Sequence, residues 1–138
     1  MRLKELLLEA TSENITQATE FVNEQLESIG CNAKVQRLID VAIDELFSNI
    51  ARYAYGSQPG MATVRVEVQQ DKRQVMISFI DSGSPFNPLT HAEPSPGLTV
   101  KERKKGGLGI SIVKKSMDDV FYEYADGYNM TTIIKTVQ

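Results

Sequence analysis

The apolar residues of this chain change period twice, and nothing else in it restricts the fold as much. Val35, Leu38, Ile39, Ala42, Ile43, Leu46, Phe47 and Ile50 recur at the three- and four-residue spacing of a helix with one buried face. Residues 63–68 (TVRVEV) alternate with period two, as on a strand with one side in the core and the other in water. Residues 75–80 (VMISFI) are apolar on both sides, which suits a more deeply buried strand. The QDKR turn between these two runs joins them as a hairpin. A helix and a hairpin must therefore share one core.

The flanking segments extend this pattern. Asn32 caps the long helix, which should stop near Tyr55, before Gly56, Pro59 and Gly60. Upstream, LKELLL at 3–8 reads either as a short edge strand or as a helix start. The TSEN that follows, with Thr11 or Ser12 as N-cap, opens a helix to about Ile29, which Gly30 ends. Residues 82–107 carry four prolines and no sustained period, a loop whose length is usual only for functional or mobile segments. A helix starts among the glycines of GGLG and runs ISIVKKSM. Strands at 120–125 and 130–137 follow, joined by the tight-turn pair Asp126-Gly127. The order β-α-α-β-β-loop-α-β-β predicts an α+β two-layer sandwich, a mainly antiparallel mixed sheet with about three helices on one face. With 138 residues, one domain is expected.

Composition removes several classes of function. No segment approaches the roughly 18 unbroken apolar residues of a membrane span. The start, MRLKELLLEATSEN, has acids beside its apolar run and lacks a small-residue cleavage site, so a cytoplasmic protein with no membrane partner is expected. One cysteine, Cys31, and one histidine, His91, provide neither an internal disulfide nor a soft-metal cluster. A net charge of −3 and a pI near 5.2 argue against a direct nucleic-acid partner. The one basic run, KERKK at 101–105, reads either as a solvated loop or as a phosphate contact.

Three places carry chemistry. Glu45 and Asn49, four residues apart, lie at the edge of the apolar stripe of the long helix. They form either a surface pair or a pair facing a pocket, where an amide oxygen helps to hold Mg²⁺ and a carboxylate accepts a hydroxyl proton. DSGSPFNP at 81–88 puts Asp81 at the end of the buried strand with Gly83 two residues on. This is either a plain turn, or a carboxylate that accepts from an exocyclic amino group beside a glycine that a flat ring can approach. The helix start at GGLG exposes backbone N–H groups suited to phosphate, without being a dinucleotide fingerprint or a Walker loop.

Taken in order, DELFSNIARYAY, DSGSPFNP and GGLGISIVKK resemble the N box and the two glycine boxes of the GHKL (histidine-kinase-like) ATPase superfamily, over nearly the whole chain. The D-x-G-x-P-F form, the stretch leading into MDDVFYEY and the lack of a dimerising histidine helix are most similar to the anti-sigma-factor serine/threonine kinases. The resemblance implies the Bergerat ATP-binding fold and an ATP- and Mg²⁺-dependent protein kinase. Such a kinase phosphorylates an antagonist (anti-anti-sigma) protein, binds a sigma factor in a partner-switching module and acts as a homodimer. A nucleotide-gated binding module without catalysis is the alternative within the same fold. By position, the resemblance implies that Asp81 holds the adenine amino group, with Gly83 beneath the ring and Thr132 assisting. It makes Asn49 the Mg²⁺ ligand and Glu45 the general base. Gly107, Leu108 and Gly109 offer backbone donors to the phosphates of ATP or ADP, and residues 87–105 form a lid in which Lys104 and Lys105 supply charge. There are two departures from the family pattern. Arg52 and Tyr53 stand where a histidine is frequent, and Asn87 stands where an acid commonly follows the P-F pair.

Overall fold

The fold is that of a computed structural model, which describes residues 2–91 and 108–137. The alternation in TVRVEV does what its period requires: in strand β2 (Met61–Gln69), Ala62, Val64, Val66 and Val68 are all buried on one side. LKELLL resolves as an edge strand, β1 (Arg2–Glu9), antiparallel to β2. The more continuous apolar run is β3 (Gln74–Asp81), with Val75, Ile77 and Phe79 in the core beside the β2 valines. Strands β4 (Asp119–Ala125) and β5 (Tyr128–Thr136) complete a sheet in the order β1-β2-β3-β5-β4.

Every neighbouring pair is antiparallel, so the sheet is not mixed as expected. Strand β4 runs in the direction of β3 but lies one position further out, and β5 returns between them. The β4–β5 turn is made by Asp126 at φ 55° and Gly127 at φ 84°. Two successive positive φ values are what a tight hairpin with right-handed strand twist needs, and Asp-Gly adopts them at low cost.

The helices α1 (Ile15–Ser28), α2 (Ala33–Tyr53) and α4 (Leu108–Ser116) share one face of the sheet, and a short helix α3 (Pro88–His91) follows β3. Ala18, Val22 and Leu26 of α1, Ile39, Ile43, Leu46 and Phe47 of α2, and Ile110 and Val113 of α4 close the core over Ile77, Phe79 and Ile133. Asn32 caps α2 as expected, its side chain accepting from the N–H groups of Lys34 (2.7 Å) and Val35 (3.4 Å). Neither Thr11 nor Ser12 caps α1. A 3-10 turn, Ser12–Asn14, precedes it, and the Asn14 amide donates back to the Glu9 carbonyl at 2.9 Å.

Candidate active site

Asp81 ends β3 on the helix-facing side, opposite Ala62 on one neighbour and Asn129 on the other. It is 6% exposed. Its Oδ1 accepts from the backbone N–H of Gly83 and from Nδ2 of Asn129, both at 2.9 Å. The described residues give Oδ2 no hydrogen bond. Burial pushes this carboxyl above its ordinary range, and the bonds from Asn129 and Gly83 oppose the shift. The bond from Gly83 also makes Asp81-Ser82-Gly83 an Asx turn, as the plain-turn reading has it.

The fold itself requires glycine at position 83. A β-carbon at this position would lie 2.1 Å from the carbonyl oxygen of Ala54 at the C-terminal end of α2. That carbonyl also accepts from Ser84 N–H at 2.9 Å. The side of Gly83 where a side chain would project is thus filled by the helix end. Tyr55 secures the same corner, accepting from Ser82 N–H at 3.0 Å and donating to the Met61 carbonyl.

Helix α2 brings Asn49 to within reach of Asp81. With Leu46, Phe79, Phe86, Pro88, Asn129 and Thr131, these two residues line a cavity of about 20 Å³, the room of one water molecule. Asn49 is 3% exposed and its Nδ2 has no partner among the described residues. One turn earlier, Glu45 Oε1 is likewise buried without a partner. Burial raises the Glu45 carboxyl above its ordinary range. The charge of Arg52 opposes this and that of Asp44 adds to it. Gly109, in the first turn of α4, packs directly on the Glu45 carboxylate. The two departures from the family pattern are both used here. Tyr53 stacks on Phe86 with ring centroids 4.9 Å apart, and Asn87 accepts from Leu89 N–H at 2.9 Å to start α3.

Not every expected residue joins this cavity. Thr132 is on the opposite face of the sheet, where its hydroxyl pairs with that of Ser78 at 2.9 Å. Its neighbour Thr131, paired with Phe79, is the threonine that lines the cavity. Successive strand residues point to opposite faces, so an offset of one position moves the side chain through the sheet. Leu108 begins α4, as the glycine-box reading requires. Gly107, Lys104, Lys105 and most of the expected lid lie outside the described residues, and only 87–91 of that segment is seen. Asn129, which binds Asp81 directly, was not foreseen. Its sequence signal is weak: a polar residue two places after the Asp-Gly turn, facing the core side. A roomier hollow of about 710 Å³ lies elsewhere, among residues of 9–13, 48–52 and 55–60, and contains none of the expected site residues.

The donor set fits a nucleotide-borne Mg²⁺ better than a protein-caged metal. No group of three or more His, Cys, Asp or Glu residues able to hold a metal occurs among the described residues. Mg²⁺ commonly takes only one or two protein oxygens and completes its shell with water and phosphate. Asn49, a buried amide with unused bonding capacity, can supply such an oxygen after rotation of its end group.

The chain has relatives. The sequence profile of the "Histidine kinase-like ATPase domain" matches residues 8–135. A serine/threonine-protein kinase, BtrW, of Bordetella bronchiseptica is 24% identical over 103 residues, 74% of this chain and 71% of that protein. A serine-protein kinase, RsbW, of Listeria innocua is 29% identical over 97 residues, 67% of this chain but only 60% of that protein. Among solved structures, one containing the RsbU and RsbW domains of a Mycobacterium tuberculosis protein superposes with a TM-score of 0.70 at 17% identity. It covers 99% of this chain and 33% of that one. The chain therefore belongs to the histidine kinase-like ATPase domain family.

Proposed function

We propose that the protein is an ATP- and Mg²⁺-dependent protein serine/threonine kinase. Its substrate is an antagonist protein, and in its other role it binds a sigma factor as a cytoplasmic, homodimeric regulator. One observation supports the kinase reading most strongly. A buried acceptor, Asp81, and two buried atoms without a partner among the described residues, Asn49 Nδ2 and Glu45 Oε1, lie along one side of α2, with the start of α4 at Gly109 against the carboxylate. Adenine is recognised at the Asp81 end and phosphoryl transfer takes place at the Glu45 end.

In this reading Asp81 accepts from the adenine amino group, with Thr131 in place of Thr132 on the same wall. The base is far larger than the present cavity, so Phe86 and Pro88 give way as it enters. Asn49 holds Mg²⁺, which when bound neutralises phosphate charge. Glu45 takes the proton of the substrate hydroxyl as its oxygen bonds to the γ-phosphorus and the bond to the β-phosphate oxygen breaks, releasing ADP. Desolvation makes the Glu45 carboxylate a better proton acceptor than one in water. The sigma-factor role is supported by the family resemblance alone.

Incubation with γ-labelled ATP and the antagonist that co-purifies with the protein tests this. Label should pass to a serine or threonine of the antagonist with wild type. It should fail to do so with Glu45→Ala, which still binds ATP. Intact ATP binding without transfer by wild type would leave a nucleotide-gated binding module instead.

A further inference from the structure

Five hydrogen bonds converge on the side chain of Asn129. Its Nδ2 donates to Asp81 Oδ1 at 2.9 Å and to the Ser84 carbonyl at 2.9 Å, with the Gly83 carbonyl at 3.3 Å sharing the second proton. Its Oδ1 accepts from Phe86 N–H at 3.1 Å and from the Tyr122 hydroxyl. All of its bonding capacity is used, and a flipped amide would set its oxygen against three acceptors. Asn129 is itself 4% exposed and lies in β5, so a rigid element holds it.

We propose that Asn129 is a positioning residue that sets the base selectivity of the nucleotide site by locking Asp81 as a pure acceptor. The inference rests on the ATP-binding reading above. With Oδ1 bonded by both Gly83 and Asn129, the carboxylate cannot turn, and Oδ2 alone remains to meet a ligand. An acceptor fixed in place receives an exocyclic amino group and repels a carbonyl oxygen at the same ring position. Adenine is therefore taken, and a 6-oxopurine is rejected. Without Asn129 the carboxylate can rotate and can take a proton more readily, so that it donates to the carbonyl. Discrimination then falls. The same amide holds Phe86, so the recognising carboxylate and the wall that must open for the base share one anchor.

The test is calorimetric titration of the protein with ATP and with inosine triphosphate, which carries a carbonyl in place of the 6-amino group. Wild type should prefer ATP strongly. Asn129→Ala should reduce the ATP-to-inosine-triphosphate preference by about tenfold or more. Its ATP affinity should also begin to fall at a higher pH than that of wild type on acidification. A folded Asn129→Ala protein with the wild-type ratio and pH profile would overturn the proposal. If that variant does not fold, Tyr122→Phe decides, since it removes one of the two bonds that brace the amide oxygen, and with it the hydroxyl's own bond to the Phe86 backbone. A several-fold loss of preference supports the proposal and an unchanged preference overturns it. Wild type that binds neither nucleotide would overturn the ATP-binding reading itself. Wild type that binds ATP and loses it on Asp81→Asn, while Asn129→Ala changes nothing, would overturn this inference alone.

Discussion

The α-carbon of Gly109 faces the Glu45 carboxylate so closely that a β-carbon there would lie 2.1 Å from Oε2 and 2.2 Å from Cδ. The group in the way is the end of a flexible side chain, which can swing aside. Alanine is also a better helix residue than glycine, by up to about 1 kcal/mol. Gly109→Ala is therefore expected to change unfolding free energy by less than about 1 kcal/mol and to displace Glu45 from its place beside the helix start. Phosphoryl transfer should fall by about tenfold or more while ATP still binds. Urea unfolding together with a labelled-phosphate assay checks both halves.

Gly83→Ala is predicted to act in the opposite way. Its β-carbon would meet backbone, the Ala54 carbonyl at 2.1 Å and carbonyl carbon at 2.5 Å, and backbone cannot rotate out of the way. Either the end of α2 or the Asx turn must shift, at a cost of about 1–3 kcal/mol. Chemical denaturation should register that loss, and ATP affinity should decline with it because Asp81 sits in the same turn.

Tyr55→Phe separates the anchoring of this corner from its chemistry. The hydroxyl joins Ser82 N–H and the Met61 carbonyl, tying the residues after α2 to the ends of β2 and β3. Loss of these bonds should cost about 0.5–1.5 kcal/mol. The aromatic ring remains over Gly60, where a β-carbon would come within 2.3 Å of it. Thermal unfolding of the two proteins side by side measures the difference.

The carboxyls predict two pH dependences of opposite sign. Burial raises the Asp81 and Glu45 carboxyls above their ordinary 3.8 and 4.5. The folded protein therefore holds these protons to higher pH than the unfolded chain does. Each contributes stability that is fully present below its unfolded pKa and is lost as pH rises through the folded one. Asp118 runs the other way. Its modest burial is outweighed by bonds to Thr136 and the charge of Lys135, so its contribution is present above the unfolded pKa and lost as pH falls through the lowered one. Stability of wild type relative to Asp81→Asn, without nucleotide, should accordingly fall as pH rises from about 4 toward neutrality. ATP affinity should rise over the same interval, because only the ionised Asp81 is a pure acceptor. Denaturation curves and titrations across that range give the two slopes.

Local chemistry made some of these features legible. Asn32, the Asp126-Gly127 turn and the alternating valines of β2 each obey a rule that needs only a few neighbouring residues. The face of the site on β5 was not legible. In MTTII, Ile133 and Ile134 are both apolar, so parity does not say whether Thr131 or Thr132 faces inward. Only the pairing of Asp81 with Asn129 settles it, and that register is a contact across 48 residues. The packing of Gly83 on Ala54 was hidden for the same reason, since the two are distant in sequence. The Thr11 and Ser12 cap failed because the chain leaving β1 enters a 3-10 turn, with Asn14 N–H bonded to the Thr11 carbonyl at 3.1 Å.

The most direct test is the binding of Mg·ATP by wild type and by Asp81→Asn in calorimetric titration. Wild type should bind. The variant should lose about 2–3 kcal/mol of affinity, since its amide can present an N–H where the base requires an acceptor, while keeping its fold. Equal affinity in the two folded proteins would contradict the placement of the nucleotide at Asp81 and the site built around it.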